Sequence, residues 1–261
     1  MTRFALLTAT LMGTVAPAAF AAPAVGLVGD KTLVMFDTET LTVSGTTTVS
    51  GVDALVGIDL RPANNSLVGV TPDGEIVTID TATGAASKLS MMDTPLPMVE
   101  GAPVIVDFNP MADRLRFMSG TTNHRVNVDT GEVTVDGSLA FEGNDMHAGE
   151  APMIAAAAYI NSHGKPDTTA MFDIDSTIVA LIQQTSPNDG TLAAVGKLGI
   201  ETPGAVYGFD IASDAEMNNN AWLVTNNILY EVDLETGAAE AVAEIGGLSG
   251  EIRDIAVMPA M

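Results

Sequence analysis

The chain contains no cysteine. That excludes disulfide staples, thiol chemistry, a lipoprotein anchor and haem attachment through a C-x-x-C-H motif. Basic residues are scarce: 10 Lys and Arg stand against 33 Asp and Glu, a formal net charge of −23. A surface this acidic repels phosphate backbones and anionic lipid headgroups, so neither nucleic acid nor a membrane surface is an expected partner. Cations, basic proteins or a saline habitat fit better. Aromatic residues make up 5%, with Trp222 the single tryptophan, too few for the ring platforms on which sugars stack in lectins and polysaccharide-cleaving enzymes. The nucleophile elbow, the P-loop, the dinucleotide fingerprint and the EF-hand loop are all missing. Beyond Ala21 no run is long and apolar enough to span a bilayer.

What is present begins with a leader. Arg3 supplies a positive start, Phe4 to Leu11 an apolar stretch, and Ala19-Phe20-Ala21 a small-residue cleavage site before Ala22-Pro23. Residues 1–21 therefore read as a secretory signal peptide, with Gly13 and Pro17 against a membrane helix. Residues 22–261 are expected to form one domain. Export to the periplasm or the exterior of a bacterial cell follows as an expectation, as does a monomer. At 47% hydrophobic the chain is too apolar for a disordered acidic tail.

The strongest pattern is a repeated apolar strand carrying one aspartate. It occurs as Val56-Gly57-Ile58-Asp59-Leu60-Arg61-Pro62, Val104-Ile105-Val106-Asp107-Phe108-Asn109-Pro110, Tyr207-Gly208-Phe209-Asp210-Ile211 and Ile252-Arg253-Asp254-Ile255-Ala256-Val257. A spacing of roughly 40 to 50 residues with four short strands per period selects a β-propeller over helical-pair arrays. The second unit is the clearest. Strands at Leu55–Arg61, Ser66–Val70, Glu75–Ile79 and Ala85–Leu89 alternate with turns at Pro72-Asp73-Gly74 and Asp80-Thr81-Ala82-Thr83-Gly84. The third unit uses Val104–Phe108, Arg114–Met118, Arg125–Val128 and Val133–Val135. The fifth uses Val206–Ile211, Ala221–Thr225, Ile228–Val232 and Ala239–Ala243.

The fourth unit is degenerate. Its leading strand, Ile154–Ile160, carries Ala158 where the aspartate belongs, followed by Thr169–Ile174, Thr177–Ile182 and Thr191–Val195. The Ala155–Ala158 run looks helical by propensity, yet its place in the period makes it a strand. The first unit has Val25–Val28, Thr32–Phe36 and Thr46–Val49 but no leading aspartate strand, and Ile252–Val257 stands at the far end of the chain. The pattern predicts an all-β propeller of about five four-stranded blades, closed by strand exchange between the N- and C-termini so that no sheet edge stays open. A two-sheet sandwich leaves the displaced strand unexplained.

The D-[LF]-[RN]-P strands, the D-T-x-T-G turns and the closing strand resemble a family of exported bacterial proteins known only as a domain of unknown function. The resemblance spans essentially all of residues 22–261. It implies the propeller and brings no catalytic residues with it. The first unit departs from the family pattern at Thr40-Leu41, where the turn calls for glycine.

If each leading strand is the innermost of its blade, Asp59, Asp107, Asp210 and Asp254 lie at equivalent depth around the axis. Such a ring suits a hard cation such as Ca2+, which takes several oxygen ligands. It also suits an acid–base pair for glycoside hydrolysis. The structural alternative, and the stronger one, is that each carboxylate accepts backbone N–H groups of the next blade. Arg61, Asn109 and Arg253 neighbour this ring in sequence, and in so acidic a chain the arginines are expected to neutralise charge. The loop Glu142–Glu150 combines His147 with three carboxylates and reads as solvated rather than as a metal corner. Met91, Met92 and Met98 share one inter-blade loop, a pattern that can bind Cu(I) but more often fills a core. The expected function is a non-enzymatic ligand- or protein-binding scaffold, to which the axial aspartates could add a cation site, and the alternative is a glycosidase-like hydrolase using the axial aspartates.

Overall fold

The computed structural model describes residues 22–258, so the expected leader lies outside the described residues. The first blade contains β1 (Pro23–Val28), β2 (Thr32–Asp37) and β3 (Gly45–Thr48). The second is β4 (Gly57–Arg61), β5 (Ser66–Val70), β6 (Glu75–Ile79) and β7 (Ala86–Met91). The third is β8 (Val104–Asn109), β9 (Arg114–Ser119), β10 (Thr122–Val126) and β11 (Val133–Val135). After the short β12 (Ala140–Phe141) comes the fourth, β13 (Ile154–Tyr159), β14 (Met171–Asp175), β15 (Ala180–Ser186) and β16 (Thr191–Lys197). The fifth is β17 (Gly208–Ser213), β18 (Asn219–Thr225), β19 (Ile228–Val232) and β20 (Ala239–Glu244). Last, β21 (Ile252–Val257) pairs antiparallel with β1 and becomes the innermost strand of the first blade.

The innermost strands β4, β8, β13, β17 and β21 touch in ring order. The molecule is a five-bladed β-propeller closed by its two termini, as the displaced strand predicts. Between each pair of adjacent blades lies one apolar cluster, five in all. Between the fifth and first blades, Trp222 and Val224 pack with Phe36 and Ile255. Between the second and third, Val68 and Ile76 meet Phe108, Leu115 and Phe117. Each fully buried side chain of this size contributes about 1.5–3 kcal/mol. The ring is therefore held by its blade interfaces, which period-2 alternation on both faces of each sheet supplies.

The turns are built by repetition. Asp37, Asp80 and Asp233 each accept two backbone N–H groups from residues two and three positions on. Four residues further along, Leu41, Gly84 and Gly237 donate to the carbonyls of those same aspartates, and all three have positive φ. Leu41 thus takes, at φ 53, the left-handed conformation that glycine takes elsewhere. Its carbonyl accepts the N–H of Gly246, and its side chain packs on the apolar cluster between the fifth and first blades. Asn226 and Asn227, both with positive φ, form the two-residue connection of β18 to β19 that favours asparagine.

Some strand boundaries shift from the sequence pattern. The third strand of the fourth blade starts at Ala180 rather than Thr177 because residues 176–179 turn, with Val179 at φ 48. The third strand of the third blade runs over Thr122–Val126 rather than to Val128, since Asn127 opens the next turn through its carbonyl bond with Gly131. β12 is an addition: it pairs parallel to β16 and makes the fourth sheet five-stranded. The alanine-rich segment is β13, buried along its whole length.

Candidate functional site

Side chains at alternate positions of an inner strand point toward the following blade, and this places the aspartates. Asp59 accepts N–H groups from Leu60 at 2.6 Å and from Phe108 of β8 at 2.6 Å. Asp107 accepts from Tyr159 of β13 at 3.1 Å. Asp210 accepts from Ile211 at 2.6 Å and from Val257 of β21 at 2.5 Å. Asp254 accepts from Ile255 at 3.0 Å and from Ile58 of β4 at 2.8 Å. Each carboxylate therefore ties its blade to the next.

Three of the four share one layer, which corrects the expectation of equal depth. Asp59, Asp107 and Asp210 bond to the residues just after Asp107, Ala158 and Ala256 respectively, so those two alanines complete the layer. Asp254 bonds to the residue after Gly57, two positions below Asp59. Pairing of β1 with β21 skips Arg253, a bulge that accompanies the offset. Gly57 leaves the room, since a Cβ there would meet the Asp254 carboxylate at 3.1 Å. Spacing to proline carries the signal: Pro62 and Pro110 follow their aspartates by three residues and Pro259 follows Asp254 by five.

Oxygens of Asp59, Asp107 and Asp210 lie within 4.8 Å of one another, and all three side chains are buried. Burial pushes each of these carboxyls up, Asp210 to about 6, and the neighbouring carboxylates add to the rise at Asp59 and Asp107. Asp254 is pushed up to about 7, chiefly by burial. No basic side chain among the described residues bonds to the trio. Arg61, expected to neutralise it, instead reaches the third blade and grips Asp113 and Asp129, with four N–H···O contacts of 2.6–2.8 Å. Those bonds raise its pKa. Arg61→Met is expected to cost about 2 kcal/mol, the range for hydrogen bonds to charged groups, read as a lower urea midpoint with unchanged slope. Arg253 spends its guanidinium on the carbonyls of Gly29, Leu55 and Val56.

Two spaces flank the axis. A cavity of about 20 Å³ touches Asp59 and Asp210. At the opposite ends of the inner strands a funnel of about 490 Å³ is lined by Val56, Val104, Ala155, Tyr207 and Arg253, one residue or more from every blade. None of the three carboxylates lines it. Off the axis, a groove of about 880 Å³ between the first and second blades carries Lys31, Asp53, Asp73 and Glu75.

The other sequence candidates separate. His147 contacts Glu150 at 3.0 Å and Phe141, while Asp145 accepts the N–H groups of His147 and Ala194. That loop is a pinned turn, and among the described residues only the axial trio groups metal-ligating side chains. Met92 is buried in the core of the second and third blades, whereas Met91 and Met98 are exposed. Asn109 caps Ala112 and lines a separate cleft. The sequence pattern does not single out the buried pair Asp173–Gln184, whose only trace is a polar residue at an inward position of β14 and of β15.

A closed five-bladed propeller with a carboxylate trio on its axis is the class of protein these observations define. Residues 32–256 match DUF4394, described as a domain of unknown function, and the chain belongs to that family. A search of curated proteins finds no match. Among solved structures the chain is similar to a structural-genomics protein of unknown function from Bacteroides thetaiotaomicron, with TM-score 0.54, 16% identity, and 95% of this chain and 69% of that one covered. At that identity the likeness shows the fold alone. A luciferin-regenerating enzyme aligns at TM-score 0.49 and 14% identity over 82% of this chain and 70% of its own. A protein of unknown function from Bacteroides caccae aligns at 0.44 and 14% over 88% and 75%.

Proposed function

We propose that this protein is an exported, non-enzymatic binding propeller that holds a hard cation such as Ca2+ on Asp59, Asp107 and Asp210. The observation that carries this reading is a charge imbalance: three buried carboxylates in mutual reach, and no basic side chain among the described residues bonded to them. Like charges this close in a buried site do not all ionise unless a cation joins them. Asp107 accepts through one oxygen only among the described residues, which leaves its second free for an ion. Space supports the cation over the hydrolase. The void of about 20 Å³ beside Asp59 and Asp210 holds one water or one ion, whereas glycoside hydrolysis at these aspartates needs room for a sugar ring between the carboxyls.

In this proposal the larger ligand or protein partner docks on a propeller face, and neither nucleic acid nor membrane insertion is involved. The test is a melt of chelator-treated protein, with and without added Ca2+, at fixed high ionic strength. A ligand that binds only the folded state stabilises it by about 2.7 kcal/mol at a hundred times its Kd. Ca2+ is expected to raise the wild-type melting temperature and to leave that of Asp107→Asn unchanged, since asparagine keeps the Tyr159 bond and loses the charge. A wild-type melting temperature indifferent to Ca2+ would sink the cation.

A further inference from the structure

The interface between the third and fourth blades differs from the other four in what it buries. Arg116, Asn123, Tyr159, Asp173 and Gln184 are each at most 2% exposed there. Arg116 donates to the Tyr159 hydroxyl at 3.2 Å, to Asn123 at 2.9 Å, to Asp136 at 2.7 Å and to Asn188 at 3.2 Å. Gln184 donates through Nε2 to Asp173 at 2.9 Å and toward the Met118 sulfur at 3.4 Å. Beside this network opens a cleft of about 350 Å³, walled by Asn109, Tyr159, Gln183, Gln184, Ser186 and Asn188 among others.

Two properties of the cleft point to a ligand. First, its wall carries amides and hydroxyls and no Asp, Glu, Lys, Arg or His. In a chain of net charge −23 that is unlike the axial funnel, with Asp30 and Arg253, or the outer groove, with Lys31, Asp53, Asp73 and Glu75. Second, the buried Gln184 amide oxygen accepts no hydrogen bond among the described residues, and neither does the second oxygen of Asp173. Leaving a buried acceptor unpaired is costly, and Gln184 stands in the cleft wall, where a ligand's donor is the nearest source of a partner. An anion brings no donor and meets no cation on the wall, and a cation meets no carboxylate there. Hydroxyl groups both donate and accept, as the amides and hydroxyls of the wall do. The volume lies at the small end of ligand cavities and suits one sugar ring.

We propose that this cleft binds a neutral polyhydroxylated molecule of monosaccharide size, with Gln184 as its buried anchor and Asp173 as the positioning residue that holds the Gln184 amide. Recognition here is by hydrogen bonding, consistent with a chain poor in stacking aromatics. The cleft meets the axial trio only at Tyr159, which walls it and donates its N–H to Asp107.

The test is calorimetric titration of the full chain with glucose, galactose, arabinose and myo-inositol, and with glucuronate and glucosamine as charged counterparts. At least one neutral compound is expected to bind at millimolar concentration or below, more tightly than either charged one. Gln184→Met keeps the volume and removes the amide. Met111→Trp narrows the exposed rim without touching the buried network and serves if the first variant fails to fold. Either is expected to weaken binding roughly tenfold or more, while Asp210→Asn, whose contacts Ile211 and Val257 do not line the cleft, leaves it unchanged. The proposal is overturned if no neutral compound binds, if a charged one binds best, if the folded variants bind as wild type, or if Asp210→Asn abolishes binding.

Discussion

Gly131→Ala is expected to lower the melting temperature by roughly 10 °C. Gly131 ends the turn after β10 with φ 79, the left-handed region that costs about 1–2 kcal/mol for a residue with a Cβ. More severely, a Cβ there would lie 1.8 Å from the carbonyl oxygen of Met91. That oxygen is backbone, at the outer edge of the second blade, and the same edge is bonded to the third through Asp93 N–H to the Gly131 carbonyl at 3.0 Å. Relief requires the two blades to part, an overpacking cost of about 1–3 kcal/mol added to the conformational one. Gly29 provides the contrast. It also has positive φ, at 56, but a Cβ there meets nothing within 4 Å, so Gly29→Ala is expected to cost about 1 kcal/mol. Differential scanning calorimetry of both variants checks the argument, and equal losses would show that backbone conformation alone explains them.

Chelator-treated protein is expected to lose stability as pH rises from about 4 to about 7. The carboxyls of Asp59, Asp107, Asp173, Asp210 and Asp254 are all raised, chiefly by burial, with Asp210 at about 6 and Asp173 and Asp254 at about 7. The unfolded value for aspartate is about 3.9. A raised folded value means the folded state holds protons that the unfolded state has released. The stabilisation is complete below the unfolded value and is lost as pH climbs through the folded one. Each group that stays protonated only when folded contributes a slope of about 1.4 kcal/mol per pH unit in that window. This runs opposite to the usual carboxylate, whose ion pair is lost on acidification. Melts at stepped pH, with and without Ca2+, check it. Ca2+ should restore stability at the upper end of the window, where the axial carboxylates are ready to ionise, and leave the lower end untouched. A curve rising with pH in the absence of Ca2+ would contradict the burial of these groups as carboxylic acids.

The two expectations come from one feature of the architecture. Blades approach closely at their outer edges, where glycines leave room for backbone, and at their inner strands, where aspartates cap the neighbouring N–H groups. Repetition made both visible in the sequence. Related turns at Asp37, Asp80 and Asp233 and the aspartate strands at Asp59, Asp107, Asp210 and Asp254 recur because several blades solve the same local problem. Leu41 is the exception that still takes the glycine conformation, with its side chain packed on the cluster between the fifth and first blades.

Repetition also misled at one point. Asp254 looks like the other three aspartates in its local sequence, yet it lies two residues out of their layer, next to a bulge at Arg253 where β21 pairs with β1. Local sequence reports the strand, whereas register depends on a partner more than 200 residues away. Arg61 shows the same limit. Its position on the same face as Asp59 suggested neutralisation of the axial carboxylates, but its length carries it to Asp113 and Asp129, which the closing of the third blade brings within reach.

The sequence by itself determined the all-β class, the number of blades, the closure by the last strand and the absence of an axial aspartate from the fourth blade. These follow from local alternation, turn chemistry and spacing, which a chain expresses without knowing its distant neighbours. Only the tertiary structure decided which three carboxylates meet, that no arginine among the described residues bonds to them, and that Asp173 and Gln184 sit beside an uncharged cleft between the third and fourth blades. Those facts depend on register and on side chains converging from separate blades, and a buried polar group has meaning only through what surrounds it.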